Sequence, residues 1–144
     1  MNTKYHLFPY FMSLTILLIL SLAGCSRASS KTIQPDDVQL TDTNNGGQVT
    51  VKAGQTINLR LEANPSTGFG WEVNQIDTTL LVQKGDKTYA PASQIKPVAG
   101  GGGWEYFRFA VQQKGETTLK LIYHRSWEKG VEPAKTFDVK IQIE

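Results

Sequence analysis

His124 and Ser126 are the side chains from which a hydrolytic pair would be built, because an imidazole can take a hydroxyl proton as the oxygen attacks a carbonyl carbon. Their spacing defeats it. Two residues apart in an extended segment, they share a face but stand about 6–7 Å apart, beyond hydrogen-bond reach. His124 reads as a strand-end residue. Cys25 is the only cysteine, so no disulfide is available, and it lies at the end of an apolar leader, outside any fold that would activate a thiol. No histidine or cysteine cluster has metal-ligand spacing, and Asp36 with Asp37 alone make no site. The glycines at 100–103 are followed by Trp104, where a phosphate loop needs Lys and Ser or Thr. Pro65 after Asn64 excludes a glycosylation sequon. These residues argue against an enzyme, and they imply no metal and no cofactor.

What the chain does offer is a stiff, neutral loop, "NPSTGFGW" at residues 64–71, with no ionisable side chain. Pro65 fixes its own φ and pushes Asn64 towards extended geometry. Gly68 is free to take a positive φ. Ser66 and Thr67 can bond to nearby backbone and close the turn, so ordering this tip on binding costs little. Two further loops are unusual. One, residues 85–103, has two prolines and the four consecutive glycines, whose missing side chains let a partner's backbone come close. The other, "HRSWEKGVEPAK" at 124–135, sets Trp127 among polar and turn-forming neighbours, and an exposed Trp beside Arg125 has the composition of an interface hot spot.

The elements that would hold these loops are strands. "TINLRLEA" (56–63), "YFRFAV" (106–111), "TTLKLIYHR" (117–125) and "KTFDVKIQIE" (135–144) alternate apolar and polar residues with period two. Shorter candidates lie at 38–41, 48–52, 71–76 and 80–84, with glycine turns between them. Seven or eight such strands predict an all-β, immunoglobulin-like antiparallel β-sandwich, held by packing without a disulfide. Loops at one end of such a scaffold are natural sites for function.

Residues 1–24 stand apart. Lys4 precedes an apolar run from Leu7 to Leu22, and small residues follow, which is the pattern of a secretory signal. "LAGC" at 22–25 resembles the lipobox of bacterial lipoproteins, which implies cleavage before Cys25 and lipid on its sulfur. Ser26, in place of an acidic residue, then implies the outer membrane. Residues 25–36 are small, polar and proline-punctuated, as in a tether, leaving a domain at 37–144. Cleavage would remove Lys4 from the 15 basic residues and none of the 13 acidic ones, leaving a net charge near +1. The basic residues are scattered, so nucleic acid is not an expected partner.

Taken in order, the three loops resemble those of the chagasin-type inhibitors of papain-family cysteine peptidases. Asn64, Pro65, Ser66, Thr67, Gly68 and Phe69 match that family's N-P-T-T-G-F/Y with one Thr-to-Ser change. Gly100, Gly102 and Gly103 match G-x-G-G. Arg125 and Trp127 match R-P-W, with Ser126 where the family has proline. The resemblance implies a monomer with no catalytic residues, which acts as a reversible, competitive inhibitor. It also implies that Asn64–Phe69 lies over the catalytic pair of a papain-like peptidase, with the glycine loop and Arg125–Trp127 to either side. A cell-envelope module for glycan or another envelope protein is the rival expectation, because an exposed Trp104 or Trp127 could stack on sugar.

Overall fold

Period-two alternation becomes strand wherever one face can be buried. In β3 (Thr56–Ala63), Ile57, Leu59, Leu61 and Ala63 are buried while Arg60 and Glu62 face solvent. The same register runs through β7 (Gly103–Val111), β8 (Gly115–His124) and β9 (Lys135–Ile143). Shorter strands complete the set: β1 (Val38–Thr41), β2 (Gly47–Val51), β4 (Gly70–Gln75), β5 (Leu81–Gln83) and β6 (Thr88–Pro91). The computed structural model describes residues 37–93 and 100–144. The expected signal (1–24) and tether (25–36), with Cys25, fall outside the described residues.

One sheet runs β1-β3-β7-β5, with β6 also paired to β7, and the other runs β2-β9-β8-β4. Their inward faces meet in a single core that includes Phe109, Phe137, Leu59, Leu121 and Ile141. Each such side chain contributes about 1.5–3 kcal/mol through burial. The expected sandwich is present, with two differences. The described residues form nine strands, because β6 lies within the segment expected to be loop. Two edge pairings are parallel, β1 with β3 and β2 with β9. The short 3-10 turn Asp42–Asn44 carries the chain from the edge of one sheet to the edge of the other, as strands at a sandwich corner do.

Candidate functional site

The loop between β3 and β4 is a one-turn 3-10 helix, Pro65–Thr67, begun by the proline and ended by Gly68 at φ 82°. Asn64 is its node. The Asn64 carbonyl accepts from the Thr67 backbone N–H at 3.1 Å and from Thr67 Oγ1 at 2.6 Å, and its Oδ1 accepts from Ser66 Oγ at 2.6 Å. Its backbone N–H donates to Tyr123 Oη at 2.8 Å, which fixes the loop to β8. The Tyr123 ring in turn lies against Phe69 and Trp71, with centroids 5.4 and 5.2 Å away. The tip is therefore rigid through bonds internal to the turn, and Pro65, Ser66 and Thr67 are exposed.

The other two motifs reach this loop from distant parts of the chain. Asn64 Nδ2 donates to the carbonyl of Gly100 at 3.0 Å, and Arg125 Nε donates to the carbonyl of Thr67 at 3.1 Å. The Arg125 guanidinium lies 4.3 Å from the centre of the Phe69 ring, a cation–π contact. Its Nη1 also meets Glu128 Oε1 at 3.0 Å. Trp127 is 64% exposed, yet one edge of its indole fills the place a β-carbon on Gly68 would take. A glycine is needed there twice over, for its φ and for the indole above it. The three predicted motifs thus form one continuous rim.

Within the glycine run the positions differ. Gly100 is exposed at φ 78°, with open space beside it, whereas Gly103 is buried in β7. Its α-carbon faces β6, and an added β-carbon would strike the Ala90 carbonyl oxygen. The backbone that comes close at Gly103 is the chain's own, and this glycine shapes the base of the loop. Tyr89 on β6 donates to the Gly101 carbonyl at 3.4 Å and covers the same spot. The sequence marks Tyr123 only as an inward-facing strand residue beside Leu119 and Leu121, not as the anchor of Asn64, and gives no sign of Tyr89 or Lys87. Glu105 leaves a signal, as a charge at an inward position of an otherwise apolar alternation.

The centre of the rim offers shape rather than charge. Residues 64–69 carry no charge, and Arg125 is already partnered. His124 Nε2 lies 2.8 Å from Glu72 Oε2, a cross-strand pair at the end of β8. No cluster of metal-ligating side chains occurs among the described residues.

A family model described as chagasin family peptidase inhibitor I42 matches residues 50–141. Chagasin of Trypanosoma cruzi is 27% identical over 108 residues, covering 72% of this chain and 96% of that protein. The crystal structure of the cysteine protease inhibitor EhICP2 from Entamoeba histolytica superposes with a TM-score of 0.64 at 25% identity, over 75% of this chain and 95% of that one. PbICP-C, solved in complex with falcipain-2, shares the fold with a TM-score of 0.53 at 13% identity, over 76% of this chain and 92% of that one.

Proposed function

This chain belongs to the chagasin family of peptidase inhibitors, and we propose that it blocks the cleft of papain-family cysteine peptidases reversibly and competitively with its three-loop rim. It is an inhibitor and not an enzyme. The observation that carries the mechanism is the direct bonding of the Asn64–Phe69 loop to the Gly100 carbonyl on one side and to Arg125 on the other. Asn64, Pro65, Ser66, Thr67, Gly68 and Phe69 form the central wedge. Gly100, Gly102 and Gly103 give and shape one flank, and Arg125 with Trp127 gives the other. A closed neutral turn fills the cleft without presenting an extended peptide bond to the nucleophile, so no covalent step occurs. Preorganisation lowers the entropy lost on binding. Titrating papain with the purified chain tests this: competitive, reversible inhibition is expected, and an undiminished rate at saturating protein would refute it.

Salt supplies a second test. The wedge is uncharged and Arg125 is held by Glu128 and Phe69, so electrostatic steering is minor. Raising salt to about 0.5 M should weaken inhibition less than roughly tenfold, or about 1.4 kcal/mol. A steeper loss would mean that charged rim groups dominate binding.

In the same reading, residues 1–24 are a lipoprotein signal and Cys25 carries lipid. Residues 25–36 tether the monomeric domain 37–144 to the cell envelope, at the outer membrane. "LAGC" and Ser26 support this. Cys25→Ser should abolish fatty-acid labelling and membrane fractionation. Wild-type protein that remains unlabelled and soluble would disprove the anchor.

A further inference from the structure

Glu105 is the buried charge among the described residues, 4% exposed on the inward face of β7. Its Oε2 accepts from the Trp71 backbone N–H at 2.8 Å, and Lys87 Nζ lies 3.0 Å from each carboxylate oxygen. The same ammonium donates to the Trp71 carbonyl at 2.6 Å. One carboxylate and one ammonium thus close a ring through both polar groups of a single residue. Gly70 makes room for it, since a β-carbon there would stand 2.9 Å from Lys87 Nζ.

The placement of this ring suggests its use. Trp71 belongs to β4 in one sheet, and Glu105 belongs to β7 in the other. Lys87 directly precedes β6, which pairs with β7. Along the chain, Trp71 lies two residues beyond Phe69, and Glu105 two beyond Gly103. The ring therefore spans the sandwich immediately beneath the wedge and both stems of the glycine loop. Only the carboxylate of this pair is buried, while the Lys87 side chain remains 39% exposed. An ion pair with a buried member is a poor source of stability, and apolar replacement is often neutral or better, but such pairs can fix one arrangement over others. A charge otherwise foreign to this core, sited at the base of the rim, fits that second use.

We propose that Glu105 and Lys87 are positioning residues that hold the wedge and the glycine loop at a fixed separation through the Trp71 backbone, so that both enter the peptidase cleft together. This rests on the inhibitor reading above. The test compares Glu105→Gln, Lys87→Met and the double variant in the full chain, held in detergent. Glutamine keeps an acceptor for Trp71 and removes the charge. Three quantities are read: inhibition of papain, the unfolding midpoint, and amide NMR signals of residues 64–68 and 100–103.

Each single variant should lose about tenfold in inhibition while folded at the assay temperature. The double variant should lose little more, because one ring is broken once. Amide signals of both loops should move together. Folded variants that inhibit within twofold of wild type overturn the proposal, as does weakened inhibition with unmoved loop signals. Loss confined to variants that unfold below the assay temperature also overturns it. If Glu105→Gln does not fold, Lys87→Met carries the comparison. Wild-type protein that fails to inhibit papain refutes the functional reading, and the loop signals then decide the positioning role alone.

Discussion

Gly68→Val should weaken inhibition of papain by at least about 2 kcal/mol, roughly 30-fold, which is hot-spot size. Two independent causes act at this position. Gly68 holds φ 82°, a left-handed conformation that a β-branched residue resists. Its β-carbon would also fall on the Trp127 indole, so either the indole leaves or the wedge tilts. One substitution thus disturbs two of the three loops of the rim. Thr67→Trp reaches a similar loss by another route: it places a bulky ring at the exposed tip and removes the Thr67 Oγ1 bond to the Asn64 carbonyl, while the bond from the Thr67 backbone N–H remains. Folding should suffer far less than binding, because the loop is on the surface and the core lies in the strands it joins. Lys114→Ala, in the turn after β7 at the opposite end of the sandwich, should change neither quantity. The check is an inhibition constant and an unfolding midpoint for each variant. Normal folding with wild-type inhibition in both Gly68→Val and Thr67→Trp would reduce residues 64–69 to a turn.

The parts of this molecule legible in its sequence are those governed by local rules. β3 occupies residues 56–63 as expected, because Ile57, Leu59 and Leu61 alternate with polar residues and the glycine-containing turn at 52–55 precedes them. The conformation of the Asn64–Gly68 turn was equally legible, since proline, Ser/Thr and glycine each restrict the backbone in known ways. What escaped was anything set by distant partners. β6 (Thr88–Pro91) has no buried residue and ends in proline, and it is a strand because β7 offers it an edge. Alternation reports which face is buried, not the direction of the neighbour, so the parallel pairings of β1 and β2 left no trace in it. The bond from Asn64 to Gly100 spans 36 residues, and that from Arg125 to Thr67 spans 58. The motif residues were visible by type, and their mutual contacts only in three dimensions.

That distinction gives the second large effect, within the glycine run itself. Gly102 and Gly103 are adjacent and identical in sequence, yet their surroundings differ. A β-carbon on Gly102 would meet only the Ala63 carbonyl oxygen, at 3.5 Å, an ordinary contact. On Gly103 it would collide with the Ala90 carbonyl oxygen and lie 2.8 Å from the Pro91 α-carbon. Those are backbone atoms, which cannot swing aside as a side chain can. Gly103→Ala must therefore part β6 from β7 at the Pro91–Gly103 pair. Overpacking of this kind costs about 1–3 kcal/mol, or roughly 4–8 °C in unfolding midpoint for each kcal/mol in a domain of about 100 residues. Inhibition should fall as well, because the Gly100 carbonyl that anchors Asn64 hangs from the strand pair being opened. Gly102→Ala should keep the wild-type midpoint, so any loss of inhibition in that variant reports direct contact with the peptidase. If the two alanine variants unfold at the same temperature, the close approach of β6 to Gly103 does not limit stability, and the glycine there has no structural need.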